Sequence, residues 1–289
     1  MIIDGRKIAR KILEEIKEKL QKSGRSLRLA AVLVGENQEL KKFIELKKKA
    51  AEKIGIEFRT YEFPEDITNN KLRRELNKIS KVKTTHGVII ELPLPEHLNT
   101  QSLLNTIPEE KDVDVLSEKS QGKFFTNRSK ILPPAVEAMK QIFEEYKIDL
   151  KGPDAKGIED PRFANYALRR ANRDKTAAVF GYGLLVGKLV SHWLVNQGAT
   201  VSIITEYTKE PEKISREADM IISGVGKSNL ITENMVKEGA VVIDFGRDVD
   251  FKNVSKKAGL ITPPVGGVGP IVVAAVLKNL VELSSSRKY

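Results

Sequence analysis

The stretch Lys175–Asn196, KTAAVFGYGLLVGKLVSHWLVN, restricts what this chain can fold into more than any other. A short apolar run, Thr176–Phe180, leads into Gly181, Gly183 and Gly187, and Leu184, Leu185, Lys188, Leu189 and Trp193 follow at helical i, i+3 and i+4 spacings. The pattern reads as strand, glycine turn, helix. Its spacing, G-x-G-x-x-x-G, is a looser relative of the dinucleotide fingerprint: Gly181 permits a tight turn, Gly183 lets backbone approach a pyrophosphate, and the helix N-terminus offers N–H donors and a positive dipole end. The next strand, Thr200–Thr205, leads to Glu206, roughly 25 residues after Gly181, where such folds place an acid on the adenosine ribose. A βα turn with packing glycines alone is the competing reading.

A length of 289 residues suggests two domains, and 40% hydrophobic residues suffice for two cores. The opening, MIIDGRKIARKIL, is charged and amphipathic with no apolar leader, and no run of 18 apolar residues follows, so a cytoplasmic protein without a membrane partner is expected. Zero cysteines exclude disulfides and cysteine catalysis, and three scattered histidines, His86, His97 and His192, offer little to a metal, so none is expected. The net charge of +10 suits small anionic ligands such as cofactor phosphates or a polycarboxylate. Nucleic acid is not expected as a partner, because no recognition module and no aromatic interleaving accompany the charge.

Residues 6–22 carry Ile8, Ile12, Ile16 and Leu20 on one helical face. Leu27–Val34 then reads as a buried strand and Gln38–Ile54 as a helix with Leu40, Phe43, Ile44, Ala50, Ala51 and Ile54 in one stripe. Lys47 falls in the middle of that stripe, where a lysine either snorkels to the rim or is buried with a partner. Glu57–Phe63 is a strand, Asn69–Ile79 a helix and His86–Leu92 a strand, HGVIIEL, so the β-α-β-α-β order predicts a parallel sheet with ligands beyond its carboxyl end. Glu91 sits at that end inside an apolar run, a costly place for an unpaired carboxylate. A Lys47–Glu91 ion pair, the two facing each other across the interdomain cleft, explains both misfits.

Asp112 and Asp114 in KDVDVL read either as turn residues bonding their own backbone or as site residues. Thr100–Thr106 and Pro134–Tyr146 are helical, and 153–174 reads as a polar insertion with one helical turn around Phe163–Ala171. Short apolar segments at Met220–Ser223, Ala240–Phe245 and Leu260–Thr262 extend a doubly wound parallel sheet. TPPVGGVGP, Thr262–Pro270, is too rich in Gly and Pro for regular structure and lets backbone approach a ligand, after which Ile271–Leu283 forms the last helix.

IIDGRKIA at the start, AVLVG ending at Gly35, KIGI after the Lys47 helix, HGVIIELPLP, PEEKDVD, VGKSNLIT, VVIDFG and TPPVGGVGP together resemble the bifunctional methylenetetrahydrofolate dehydrogenase/cyclohydrolase family. The resemblance implies an α/β fold of two domains: a three-layer folate-binding domain (1–138 and 271–289), a Rossmann-type dinucleotide domain (139–270), and a cleft between them. It implies that Lys47, Glu91 and Asp114 are catalytic and that Phe43, Pro264, Gly266 and Gly267 bind substrate. Gly181, Tyr182, Gly183, Gly187, Glu206, Val225 and Arg247 are the corresponding cofactor residues. Phe43 stands for the family's tyrosine, Glu91 for its glutamine, Val115 for a glycine and Tyr182–Gly183 for an arginine–serine, and a hairpin expected after Gly246 is absent.

The activity implied is NAD(P)-dependent oxidation of 5,10-methylenetetrahydrofolate, with weakened methenyl hydrolysis because Phe43 cannot hydrogen-bond; a homodimer is expected. A folate- and nucleotide-binding paralogue without catalysis, and a dehydrogenase acting on another one-carbon carrier, are the alternatives. Glu206 would repel the 2′-phosphate of NADP, so NAD is expected to be preferred.

Overall fold

The structure, a computed structural model, describes residues 1–149 and 175–285. The 153–174 insertion, with its expected helical turn, lies outside them. The chain divides into two compact units, one formed by Ala9–Pro134 with the chain from Val272 onward, the other by Met1–Ile8 with Ala135–Ile271.

In the first unit β1 (Arg28–Val34), β2 (Glu57–Phe63) and β3 (Gly87–Ile90) form a parallel sheet in the order β2-β1-β3. Leu29 on the central strand lies opposite Phe58 on one side and Gly87 on the other. A central strand flanked and covered on both faces must be apolar throughout, and Leu29 through Val34 are all buried. The crossovers are α2 (Gln38–Lys53) and α3 (Asn69–Lys81), after which α4 (Thr100–Leu104), α5 (Glu118–Phe125) and α6 (Pro134–Glu145) follow in the chain, while α1 (Gly5–Ser23) buries Ile8, Ile12, Ile16 and Leu20. Leu280 of the last helix and Val113 pack so closely on β3 that a Cβ at Gly87 would lie 2.7 Å from each.

In the second unit β4 (Thr176–Phe180), β5 (Thr200–Ile204), β6 (Met220–Ser223), β7 (Val241–Asp244) and β8 (Leu260–Ile261) are parallel, in the order β5-β4-β6-β7-β8. The chain leaves β4 toward β5 on one side and later returns to β6 on the other. That reversal opens a crevice at the carboxyl ends of β4 and β6, the topological switch point at which such sheets take ligands. The N-terminal segment joins this unit: Ile2 bridges Ile261 in parallel, and the Asp4 amide donates to the Tyr146 hydroxyl at 2.8 Å.

Most boundaries shift by one or two residues from those the sequence predicts, and two helix starts and one added helix depart further. The helix after the glycine turn, here α7 (Gly187–Asn196), excludes Leu184 and Leu185, since the chain needs 184–186 as a turn to bring Gly187 against Gly181. Glu118–Phe125 is a helix that the sequence reading does not mark, capped by the Ser117 hydroxyl accepting from the Ser120 amide. The last helix, Val268–Ser285, begins inside the Gly/Pro loop; Pro270 stands in its first turn, where no N–H is needed. By length and composition that helix could cross a membrane, but 61% of it is buried inside the fold, as expected of a core helix.

Candidate active site

The site in the first unit is built on α2. Asn37 starts the helix by accepting from the amides of Glu39 and Leu40, and Leu40, Ile44 and Ala51 fix its buried face. Phe43 and Lys47 project one turn apart. The Phe43 ring is 44% exposed, more open than a stripe position predicts, while the Lys47 side chain retains 14% exposure and reaches inward. Its Nζ lies 2.6 Å from Oε1 of Glu91. Glu91 directly follows β3, its amide donates to the Val32 carbonyl at 2.9 Å, and only 5% of it is exposed. The pair therefore links a crossover helix to the carboxyl end of its own sheet. Both residues belong to one unit, which corrects the expectation of a pair facing across two domains, since α2 and β3 are parts of a single β-α-β-α-β layer.

Asp112 and Asp114 have separate roles in the KDVD turn. The Asp112 carboxylate accepts from the amides of Leu116 and Ser117 at 3.2 and 2.8 Å and so holds the turn itself. Further contacts pin the segment: Asp112 bridges Val88, the buried Lys111 Nζ donates to the carbonyls of Ser80 and Val82 at the end of α3, and the Asn279 amide donates to the Val113 carbonyl at 2.8 Å. Asp114 is half-buried, and burial pushes its carboxyl up to about 7; Lys47 opposes that shift, and Glu91 and Asp112 add to it. Lys47, Glu91 and Asp114 thus form one electrostatic cluster. Val115 keeps a left-handed backbone, φ 58°, although it is β-branched, and its side chain is fully buried.

The second unit carries the nucleotide-type features. Gly181 is left-handed at φ 85°, and a Cβ on Gly187 would collide with the Gly181 carbonyl oxygen, so the turn closes only with glycine there. A Cβ on Gly183 would meet nothing. Val186, which precedes α7, offers no side-chain cap; the Lys188 amide donates to the Gly183 carbonyl at 3.1 Å, and the other amides of the first turn are left to a ligand or water. Glycine cradle and uncapped helix together fit a pyrophosphate. Tyr182 is half exposed with Lys188 Nζ 5.6 Å from its ring centroid, Val225 is 46% exposed, and Glu206 is exposed in the turn after β5. Arg247 is exposed and left-handed, φ 61°. Pro264 and Gly266 form a turn and Gly267 is buried; a Cβ on Gly267 would collide with the Pro263 carbonyl oxygen. These three lie in the second unit, apart in the chain division from Lys47, Glu91 and Asp114.

The sequence reading passes over Asp244 and Asp248. Asp244 ends β7 and accepts from the amides of Gly246, Asp248 and Val249, each at 3.0 Å, and burial pushes its carboxyl above the usual range. Asp248 is fully buried. Their one visible signal is two acids in DFGRD directly after an apolar strand. Among the described residues, no group of three or more His, Asp or Glu side chains could hold a metal ion.

Residues 3–114 match the family model described as tetrahydrofolate dehydrogenase/cyclohydrolase, catalytic domain, and residues 166–288 match the corresponding NAD(P)-binding domain. The chain belongs to the tetrahydrofolate dehydrogenase/cyclohydrolase family. It is 37% identical to the bifunctional protein FolD of Nautilia profundicola over 99% of this chain and 97% of that one. Among solved structures, the FolD methylenetetrahydrofolate dehydrogenase/cyclohydrolase of Campylobacter jejuni superimposes with a TM-score of 0.87 at 34% identity, covering 100% of this chain and 99% of that one. The Trypanosoma brucei enzyme, solved with NADP and an inhibitor, gives 0.87 at 28% identity, covering 100% and 99%. Family membership and the two-domain α/β fold implied by the motifs are thereby established.

Proposed function

We propose that this family member oxidises 5,10-methylenetetrahydrofolate with a nicotinamide dinucleotide, and that its capacity to hydrolyse the methenyl product is weak. The observation that carries this reading is the buried Lys47–Glu91 pair one helical turn from an exposed Phe43. Hydride leaves a methylene flanked by two nitrogens with little proton work, so the protein has only to orient the substrate and to favour the developing cation. Glu91 and Asp114 supply negative charge for that, and Asp114 in its ionised form also suits the amino and amide donors of the pterin. When bound, the nicotinamide ring supplies the hydride acceptor. Gly181, Gly183 and the amides of α7 would hold its pyrophosphate, with Tyr182, Gly187, Val225 and Arg247 around it.

Hydrolysis needs an activated water and a protonated ring nitrogen, and the Phe43 ring can hold neither. Lys47 is left as the proton-carrying group, with Pro264, Gly266 and Gly267 as backbone contacts to folate. Glu206 favours the free ribose hydroxyl of NAD over the phosphate of NADP. A homodimer in the cytoplasm, with residues 1–138 and 271–289 serving folate and 139–270 the dinucleotide, completes the proposal. The test is Phe43→Tyr, assayed for methenyl hydrolysis beside hydride transfer. Hydrolysis should rise at least tenfold with hydride transfer within a few-fold of the parent. An unchanged hydrolysis rate would count against the assigned defect.

A further inference from the structure

A carboxylate that the proposed chemistry does not use lies fully buried at the carboxyl end of the second sheet. Asp248 Oδ2 accepts from the Ser223 hydroxyl at 2.5 Å and the Val225 amide at 2.8 Å, while Oδ1 accepts from the Lys227 amide at 2.6 Å. Gly226, between the two amides, is left-handed at φ 83°. Alternating amides around a left-handed glycine make a backbone nest of the kind that usually captures an anion from solvent. Here the anion is a side chain of the same chain. A buried charge is costly unless its hydrogen bonds are complete, and these donors meet that cost.

The nest fixes the loop after β6, which is one wall of the crevice at the switch point. Val225 is half exposed, and its Cγ2 would stand 3.1 Å from a Cβ at Gly181, so this loop and the glycine turn abut. Asp248 is fixed in turn: its own amide donates to Asp244, and the Asp244 amide donates to the Thr262 hydroxyl at 2.8 Å. A Cβ at Gly246 would collide with the Asp248 carboxylate, so Gly246 is required for this packing. β8, β7 and β6 are thus joined in one chain of bonds ending at Val225.

We propose that Asp248 is a positioning residue for dinucleotide binding. By filling the 225–227 nest it holds Val225 as the β6-side wall of the crevice, and it keeps cofactor phosphates from being drawn to those amides instead of to the start of α7. This rests on the reading of the second unit as the dinucleotide site.

The test titrates NADH and NADPH into the full-length parent and Asp248→Asn by nicotinamide fluorescence, with hydrogen exchange followed across 223–230. Loss of the buried charged acceptor from the amides of Val225 and Lys227 should raise Kd roughly tenfold to a hundredfold. Exchange at 225–227 should quicken, and the dinucleotide KM should rise far more than kcat falls. Unchanged affinity in a folded Asp248→Asn, with the parent binding normally, overturns the inference and leaves the functional reading intact; a parent that binds neither dinucleotide overturns both. If Asp248→Asn does not fold, Ser223→Ala decides. It removes one neutral donor and should raise Kd roughly three- to fivefold, and an unchanged Kd overturns the inference.

Discussion

Lys47 and Glu91 are compatible with their surroundings only as a pair. Removing the lysine alone leaves a carboxylate with 5% exposure unpaired, which costs about 3–5 kcal/mol, whereas removing both charges avoids most of that cost. Urea denaturation should therefore find Lys47→Met less stable than the double variant Lys47→Met/Glu91→Gln; additive losses would contradict the pairing. Asp114 has the opposite character. Its carboxyl titrates at about 7 in the folded protein and near 4 when unfolded, so the native state holds the extra proton between those values. Stability linked to this group is greatest below pH 4 and declines as pH rises to 7, and Asp114→Asn should flatten that slope. Folate affinity, which uses the ionised form, should improve as pH rises through 7 in the parent and not in Asp114→Asn. Lys47 and Glu91 are legible in the sequence because each is a charge in an apolar pattern. Asp248 is not, because its partners are main-chain amides that no sequence pattern marks, and no one reads a left-handed backbone from a valine at 115.

The elements themselves divide in the same way. Strands such as Glu57–Phe63 and Thr176–Phe180 are readable to the residue because continuous or alternating β-formers end at Gly and Pro punctuation. The start of α7 is not readable, since Leu184 and Leu185 continue its helical period, and only the contact between Gly187 and Gly181 delays the first turn. That contact makes Gly187 intolerant of a side chain, whereas Gly183 faces open space. Gly187→Ala should lower stability by about 1–3 kcal/mol, because backbone must move to admit the methyl group. Gly183→Ala meets open space and should leave the melting temperature within about a degree while weakening dinucleotide binding, since only a ligand would feel its Cβ. Thermal melts paired with NADH titrations check both, and a Gly183→Ala variant with normal affinity would mean that no backbone approach to a phosphate occurs there.

At the scale of the whole molecule, two parallel sheets place much of the candidate chemistry beyond strand carboxyl ends, with Glu91 after β3, Gly181 after β4, Glu206 after β5 and Asp248 after β7, while Phe43 and Lys47 come from α2 and Asp114 from the KDVD turn. The alternation of strand and helix makes this arrangement readable from the sequence, and the family motifs assign the ligands. The alternative of a binding protein without turnover differs from an enzyme in one observable. The decisive measurement is the appearance of reduced nicotinamide absorbance when the purified full-length protein meets 5,10-methylenetetrahydrofolate with NAD or with NADP. Turnover with both, a kcat/KM favouring NAD, and a narrower ratio in Glu206→Ser are expected; no turnover with either dinucleotide, despite demonstrable binding of both ligands, would contradict the account.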